Sequence, residues 1–185
     1  MPSSLDPLVL DLPDPSLVVL VGAAGSGKST FAARHFAPDE ILSSDRFREL
    51  IAGDAADQRA TRPAFGRLHR ELTGRLAAGR LTVVDATSIE PAARRGLLQR
   101  ARTAGVRATA IVFDLPVAVV LARNAARPER TVDEEIVRRH LARLRSQLDD
   151  PRGPIASEGF DAVVIIRDPG ELDSVVIRRT AGQVG

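Results

Sequence analysis

The stretch that most constrains the fold of this chain is residues 17 to 31, which read LVVLVGAAGSGKSTF. A run of Val and Leu precedes a glycine-rich loop and a helix-forming segment, which predicts a buried strand, a tight turn and a helix N-terminus. The spacing G-x-x-x-x-G-K-[ST] is matched in full by Gly22, Gly25, Gly27, Lys28 and Ser29. Such glycines let backbone N–H groups point at one anion, and the helix dipole adds positive charge. The alternative is a turn that only links a strand to a helix, but both flanks fit a phosphate-binding loop.

Lys28 is the only lysine of the chain, because the others among its 26 basic residues are all arginine. A lysine ammonium meets a phosphate as a compact point charge, whereas arginine presents a planar fork. In a loop of this type the lysine reaches the β- and γ-phosphates, and the hydroxyl that follows it holds Mg²⁺. These roles fall to Lys28 and Ser29, so we expect ATP, or another nucleoside triphosphate, and Mg²⁺ as cofactors.

Composition narrows the class of protein further. A chain of 185 residues has room for one domain with a real core, so we expect a single domain over residues 1–185. The absence of cysteine, of a long apolar run and of a targeting signature predicts a cytoplasmic protein with no membrane contact. A net charge of +2 and the lack of Trp and Tyr argue against a broad nucleic-acid face. Any nucleic acid is therefore expected to be contacted locally, by a few arginines.

Apolar strand patterns alternate with helical patterns, which predicts a mostly parallel central sheet flanked by helices. The predicted strands are 17–21, 41–42, 81–84, 108–113 and 161–166. The predicted helices are 29–36, 46–51, 63–79, 91–105, one that ends near 127, and 134–148. Residues 1–16 are expected to be a lead-in with a short edge strand at 8–10, residues 53–57 an exposed loop, and residues 175–177 either strand or helix.

Local signals also predict where two of the helices begin. Thr87 or Ser88 is the expected cap of the helix that starts near Pro91. Thr131 and Glu134 match a T-x-x-E capping box for the last long helix.

Ligands of parallel sheets bind at the carboxyl ends of the strands. The sequence places Gly22, Asp45, Asp85 and Asp114 at such ends, so we expect these four groups to converge on one crevice. Asp45 fits either a helix cap or a general base that takes a proton from an acceptor hydroxyl. Arg48, one turn further on, could pair with Asp45 or orient an acceptor phosphate.

Asp85, at the end of LTVVD, fits either a partner of Mg²⁺ beside Ser29 or a turn cap. The three histidines, by contrast, share no metal-ligand spacing, and we expect them to lie on helix surfaces or to pack.

Arginines surround Pro128 in the sequence RNAARPER, where Arg123 and Arg127 share one helix face and Arg130 follows. They fit either an ordinary exposed face or a lid at 116–149 that closes over the triphosphate. We favour the lid, because two helices meet at this proline and arginines neutralise charge on a transferring phosphoryl group.

Over nearly its whole length the chain resembles the 5′-kinase domain of bacterial polynucleotide kinase-phosphatases, which heal RNA ends. The resemblance rests on LVVLVGAAGSGKSTFA, ILSSDRFR, LTVVDAT, RNAAR, EEIVRRH and EGFDAVVI. The phosphate loop alone is widespread, whereas SSD-x-x-R with VDAT and R-x-x-x-R is much more particular. One departure is Ser88, which follows VDAT where the family pattern suggests Asn, and Thr87 and Ser88 are given no role.

The resemblance implies an α/β P-loop kinase fold with a helical, arginine-bearing lid. It implies that Asp45 is the general base, that Arg48 contacts the phosphate of the acceptor, and that Arg123 and Arg127 are the lid arginines. The expected catalytic residues are Lys28, Asp45, Arg48, Arg123 and Arg127. The expected nucleotide contacts are Gly22, Ala23, Ala24, Gly25, Ser26, Gly27, Lys28, Ser29, Thr30, Arg123, Arg127 and Arg130, and the expected metal ligands are Ser29 and Asp85.

The predicted activity is therefore transfer of the γ-phosphate of ATP to the 5′-hydroxyl of RNA or DNA. Two alternatives stay open: a small-molecule kinase acting on a sugar acid, nucleoside or nucleotide sugar, and a non-catalytic nucleotide switch. The resemblance also implies phosphatase and ligase repair partners. Since neither fits within 185 residues, we expect a stand-alone kinase or an excised domain.

Overall fold

The computed structural model describes residues 7–52, 61–127, 131–149 and 154–182 of the chain. Within these ranges the strands are β1 (Val9–Asp14), β2 (Ser16–Val21), β3 (Ile41–Ser43), β4 (Thr82–Asp85), β5 (Arg107–Phe113), β6 (Ala162–Ile166) and β7 (Val176–Ala181). The helices are α1 (Lys28–His35), α2 (Ser44–Ala52), α3 (Thr61–Ala77), α4 (Pro91–Thr103), α5 (Val117–Ala125), α6 (Glu134–Leu148), α7 (Pro154–Ser157) and α8 (Pro169–Ser174). The predicted loop at 53–57, Pro128 and Arg130 lie outside the described residues.

A five-stranded sheet in the order β3-β4-β2-β5-β6 forms the centre of the molecule. Every pair of neighbouring strands in it is parallel, as the alternation of strands and helices predicts. The strand before the phosphate loop, β2, lies in the middle and is buried along its whole length. Central burial explains why its six residues, SLVVLV, read as a nearly continuous apolar run.

The two faces of this sheet build two hydrophobic cores. Leu17, Val19 and Val21 of β2 point to one face and pack with apolar residues of α3 and α4. Val18 and Leu20 point to the other face and pack with apolar residues of α1, α5, α6 and α8. The alternation follows from the two-residue repeat of a strand. The central sheet therefore carries helices on both faces, and this α/β architecture of the P-loop kinase type confirms the predicted fold class.

A second sheet joins the two ends of the described chain. It contains β1 and β7, which run parallel with Val9 opposite Val176. An ion pair between Arg178 and Asp11 joins its two strands, and an ion pair between Arg179 and Glu40 connects β7 to the residue before β3. The strand at the start of the chain is thus longer than the expected 8–10 edge strand, and residues 175–177, which fitted strand or helix, lead into a strand.

The helices α4 and α6 begin at Pro91 and Glu134, as predicted, but the capping residues expected for them are wrong. The N-cap of α6 is Asp133, whose carboxylate accepts hydrogen bonds from the backbone N–H groups of Glu135 and Ile136. Asp is at least as good a cap as Thr and directly precedes the helix, so it takes the place expected for Thr131.

The N-cap of α4 is Glu90, directly before Pro91, and it makes no side-chain capping bond. Proline suits the first helical position because its missing N–H would have no helical partner there. Ser88 instead lies in the turn between β4 and α4 with a φ of 48°. No helix in the described part of the chain is both long enough and apolar enough to cross a membrane.

Candidate nucleotide and acceptor site

The loop between β2 and α1 wraps closely because two of its glycines adopt conformations that L side chains rarely reach. Gly25 has a φ of 81° and Gly27 a φ of 95°. A Cβ atom on Gly25 would lie 2.5 Å from the carbonyl oxygen of Val120, so a side chain does not fit there. Gly27 is the N-cap of α1 and makes no side-chain capping bond, which leaves the first N–H groups of the helix available to an anion.

The ammonium of Lys28 is held inside this loop. Its Nζ atom donates to the carbonyl oxygens of Gly22 and Ala23, both at 2.8 Å, and to Oγ of Ser26 at 3.4 Å. Burial lowers the pKa of Lys28 to about 8, although the carboxylates of Asp85 and Asp45 act in the opposite direction. A buried ammonium that is held by carbonyl oxygens gains strongly from the arrival of a phosphate.

Asp85, the last residue of β4, lies beside the start of α1. Burial raises the pKa of its carboxyl group, even though the Lys28 ammonium and a hydrogen bond with Ser29 favour the charged form. A hydroxyl and a carboxylate oxygen are hard ligands of the kind that Mg²⁺ takes together with phosphate oxygens and water. The residues present therefore fit Mg²⁺ held jointly with a nucleotide.

A cation site made of protein groups alone is not seen in the described ranges, which contain no cluster of three or more acidic or histidine side chains suited to a metal. A metal at Ser29 and Asp85 would thus depend on the phosphates of the nucleotide for most of its ligands.

Asp45 and Arg48 lie in the first turns of α2, directly after β3. Their side chains form an ion pair across one helical turn. The carboxylate of Asp45 is 39% exposed, whereas the guanidinium side chain of Arg48 is only 8% exposed. Both residues line the same cavity as Lys28, so an ammonium group, a carboxylate and a buried guanidinium line one cavity.

Two of the expected lid arginines reach the loop from α5 and the segment after it. Arg123 lies close to the loop, because a Cβ atom on Gly27 would be 3.4 Å from one of its guanidinium nitrogens. Arg127 is near enough to Lys28 to oppose the charge of its ammonium. The third, Arg130, lies outside the described residues.

All of these groups surround one cavity of about 750 Å³ at the carboxyl ends of the central strands. The predicted residues that line it are Ala24, Gly25, Gly27, Lys28, Ser29, Thr30, Asp45, Arg48, Asp85, Arg123 and Arg127. Gly22, Ala23 and Ser26 form the base of the loop, where they accept the Lys28 hydrogen bonds.

Asp114 does not join this group, so the expected convergence of four strand-end residues is correct for three of them only. Its carboxylate pairs with Arg145 at 2.9 Å and with Arg167 at 3.4 Å. These partners come from α6 and from the segment after β6, and they hold Asp114 in a structural network.

A buried arginine that sequence reasoning missed fixes the turn after β4. Arg94 is fully buried, and its guanidinium pairs with Glu158 through two hydrogen bonds of 2.7 Å. It also donates to the carbonyl oxygens of Ser88 and Ile89 and to the side chain of Gln147. No local pattern distinguishes Arg94 from the other helix arginines, because its partners lie far away in the sequence.

The same turn carries a second missed residue, Thr87. It lines the cavity, and its carbonyl oxygen accepts a 3.0 Å hydrogen bond from the N–H of Gly22. His140 of α6 also lines the cavity, where burial, Arg139 and Lys28 lower its pKa. The lowered pKa favours the neutral form of this imidazole, whereas His35 packs on Phe31 with ring centroids 4.5 Å apart.

The fold and the loop together define a P-loop kinase-like domain. A family model described as an AAA domain matches residues 17–151, more than half of the chain, and the protein belongs to this family of AAA domains. No curated protein matches the chain.

Several solved structures share the fold. The chain is 24% identical to a chain of the Pnkp1/Rnl/Hen1 RNA repair complex, with a TM-score of 0.58, and the match covers 75% of this chain and 46% of that one. It therefore spans less than half of that protein. A sugar kinase from Janibacter sp. HTCC2649 is 22% identical over 85% of this chain and 90% of its own, with a TM-score of 0.55. A gluconokinase from Sinorhizobium meliloti 1021 is 19% identical over 88% and 87%, with a TM-score of 0.51.

Proposed function

We propose that this protein is a polynucleotide 5′-hydroxyl kinase, which transfers the γ-phosphate of ATP to the 5′-OH end of RNA or DNA. The observation that carries the proposal is the placement of Asp45 and Arg48 on the cavity wall that also holds Lys28. A phosphate-binding loop without an acceptor side would suit a switch protein. A carboxylate and a buried guanidinium next to the loop suit an acceptor that brings a hydroxyl and a phosphate together.

In the reaction, Asp45 accepts the proton of the acceptor hydroxyl as its oxygen attacks the γ-phosphorus. A new O–P bond forms, the bond from the γ-phosphorus to the β,γ-bridging oxygen breaks, and ADP leaves with that oxygen. Arg48 holds the nearest phosphate of the acceptor, which places the attacking oxygen near Asp45. Holding the two reactants in line supplies much of the rate enhancement in phosphoryl transfer.

Lys28 and the lid arginines act on the donor. The Lys28 ammonium exchanges its contacts with the Gly22 and Ala23 carbonyls for contacts with the β- and γ-phosphates. Arg123 and Arg127 approach the same phosphates from α5 and its continuation, where a guanidinium fork can follow charge that moves onto the transferring group. Within this proposal residues 1–185 act as one domain, and 116–149 form the lid and the helix that follows it.

Ser29 and Asp85 are the residues that would hold Mg²⁺. When it is bound, the ion would neutralise part of the charge of the phosphates. Asp85 does not need to coordinate it directly, because its carboxylate can act through the Ser29 hydroxyl to which it is hydrogen-bonded.

A small-molecule kinase is the second candidate. The cavity of about 750 Å³ supports this second candidate, because the volume is sufficient for a nucleotide and a small acceptor. Arg48 favours an acceptor that carries a phosphate over a neutral sugar, since it lines the cavity and a guanidinium fork matches phosphate oxygens. The repair complex among the structural relatives supports repair enzymes as partners of the proposed activity.

The test is a transfer assay with γ-labelled ATP and Mg²⁺. One acceptor is a 5′-hydroxyl oligonucleotide, and its matched control is the same oligonucleotide with a 5′-deoxy terminus. A parallel panel contains sugar acids, nucleosides and nucleotide sugars. The proposal expects label on the hydroxyl oligonucleotide alone, whereas label on one metabolite and on neither oligonucleotide would establish the second candidate.

A further inference from the structure

We propose that Arg94 is a positioning residue for phosphate transfer, which holds the turn after β4 so that this turn fixes Gly22, the first residue of the phosphate loop. Arg94 itself does not line the cavity. The inference rests on the proposed function in one respect, because it takes the loop to hold the nucleotide that donates the phosphate. It applies to either class of acceptor. Complete burial and an ion pair with Glu158 would by themselves suggest only a role in stability.

All five N–H donors of the Arg94 guanidinium meet an acceptor. Nε and Nη2 donate to the two carboxylate oxygens of Glu158, both at 2.7 Å, and Nη2 also donates to the side-chain oxygen of Gln147 at 2.7 Å. Nη1 donates to the carbonyl oxygens of Ser88 and Ile89, at 2.8 and 2.6 Å. A lysine has only three donors, all on one atom, and cannot reproduce this pattern. The guanidinium therefore ties the turn to side chains that lie far along the chain.

The backbone of this turn shows why it needs such a constraint. Ser88 is 7% exposed and has a φ of 48°, in the left-handed region that L residues other than asparagine and aspartate seldom adopt. Within the described ranges it is the only residue besides glycines with a positive φ. A residue persists in such a conformation where its surroundings over-determine it, and such residues cluster at functional sites. The two carbonyl contacts of Arg94, at Ser88 and at the next residue, supply this constraint.

The residue before Ser88 connects the turn to the phosphate loop. The carbonyl oxygen of Thr87 accepts a hydrogen bond of 3.0 Å from the N–H of Gly22. The carbonyl oxygen of Gly22 in turn accepts a hydrogen bond of 2.8 Å from Nζ of Lys28. A continuous series of bonded groups thus leads from the Arg94 guanidinium to the ammonium that is expected to meet the phosphates.

The turn also carries part of the cavity wall. Asp85, Ala86 and Thr87 all line the cavity, so a shift of the turn moves the expected partner of Mg²⁺ together with the wall beside it. A misplacement of about 1 Å that originates far from the chemistry can cost about a hundredfold in rate. Loss of Arg94 should act on kcat more than on the KM for ATP. The reason is that the loop N–H groups and Lys28 still contact the phosphates before transfer begins.

The first experiment measures hydrogen exchange of the Gly22 amide by NMR in the free protein. Arg94→Lys keeps the positive charge but lacks the donors for the turn. We expect exchange at Gly22 to become about tenfold faster relative to exchange at Val19, the factor for loss of one hydrogen bond. Val19 is fully buried in the middle of β2 and reports general loss of stability. Arg100→Lys is the matched control and should leave the ratio unchanged, because Arg100 lies on the same helix but donates to carbonyl oxygens of α3 and α4.

Two variants of Ser88 keep the inference testable where Arg94→Lys fails to fold. Ser88→Thr keeps the hydroxyl and adds a methyl group at Cβ, which disfavours the left-handed conformation. Ser88→Gly adopts that conformation without a steric penalty. Ser88→Thr should therefore speed exchange at Gly22 relative to Val19, whereas Ser88→Gly should leave the ratio unchanged.

The second measurement is kinetic and uses the acceptor that wild type phosphorylates in the transfer assay. Molecules able to bind nucleotide are counted by titration with a fluorescent ADP analogue, so that unfolded protein does not lower kcat. We expect Arg94→Lys and Ser88→Thr to lower kcat by about ten- to a hundredfold, with a change of less than about threefold in the KM for ATP. A residue needed only for stability would reduce the number of binding molecules and leave their kcat unchanged.

Two results would overturn the inference. One is an unchanged ratio of Gly22 to Val19 exchange in folded Arg94→Lys and Ser88→Thr, and the other is a normal kcat in variants that exchange Gly22 faster. The outcomes also separate this inference from the proposed function. Transfer to oligonucleotides with an unchanged exchange ratio keeps the kinase and rejects the positioning role. Faster exchange at Gly22 and a lowered kcat with a metabolite as the acceptor keep the positioning role and reject the polynucleotide acceptor.

Discussion

The Nζ atom of Lys28 lies 2.8 Å from the carbonyl oxygen of Gly22, at the opposite end of the phosphate loop. In this position burial lowers the pKa of Lys28 to about 8. A nucleotide would replace the carbonyl contact by phosphate contacts and raise the pKa of Lys28 above its value in the free protein. Binding is then strongest where Lys28 is already charged.

Nucleotide affinity should therefore be highest below about pH 8. Above this pH it should fall, and the decrease should approach tenfold per pH unit. The measurement is calorimetric titration of the nucleotide without Mg²⁺, from about pH 7 to 10, in buffers of different ionisation enthalpy. Uptake of a proton at the upper end is expected. Lys28→Met should bind weakly at neutral pH and lose this dependence, and a flat affinity of wild type above pH 8 would contradict the assignment.

Asp45→Asn should lower the rate of phosphate transfer by about two to four orders of magnitude, because the amide keeps the shape but cannot accept a proton. Nucleotide affinity and melting temperature should hardly change. Single-turnover transfer and thermal unfolding are measured side by side, with Glu49→Gln on the exposed face of α2 as the control. Near-normal transfer by Asp45→Asn would leave Asp45 a purely structural role.

Replacing Arg123 or Arg127 by Lys should lower kcat by about one to two orders of magnitude with little effect on the KM for ATP. The reason is that a guanidinium fork matched to the transferring group acts mainly in the transition state. Steady-state kinetics check this, with Arg138→Lys as the control, because Arg138 pairs with Glu134 on the exposed side of α6. Equal kinetics of all three variants would mean that these arginines only cover a surface.

Arg94→Met should lower the free energy of unfolding by about 3–5 kcal/mol, because it leaves the Glu158 carboxylate buried without its partner. Glu158 is 7% exposed, so water cannot replace the lost contact. The double variant with Glu158→Leu should recover part of this loss. Denaturant unfolding of both variants decides the matter, and a loss below about 1 kcal/mol for the single variant would show that the pair is not needed for stability.

The phosphate loop and the central sheet could be predicted because their signals are local. Each strand of the sheet is an apolar run, and the loop has fixed glycine spacing. The strand pairing of β1 with β7 could not be predicted in the same way, since it joins the two ends of the chain. Its residues show only short and mixed patterns, and β7 is exposed at five of its six residues.

The residues of the site also differ in whether local sequence signals or long-range packing place them. Gly22 follows β2, Asp45 lies just after β3 and Asp85 ends β4, and parallel strands bring their carboxyl ends to one edge. Asp114 has the same sequence position but pairs with Arg145 from a distant helix. Which strand-end carboxylate faces the cavity thus depends on long-range packing, as does the burial of Arg94.

The measurement that tests the central claim most directly is the rate of transfer to 5′-hydroxyl oligonucleotides of graded length, from two nucleotides upward, at two salt concentrations. If Arg48 and a few neighbours hold only the terminal nucleotides, few phosphates are neutralised. With about −0.7 per contacted phosphate, log–log salt slopes of roughly −1 to −3 are expected, and short acceptors should react nearly as well as long ones. Steep dependence on length and salt would contradict local recognition, and no transfer at any length, with full activity on one metabolite, would contradict the polynucleotide kinase itself.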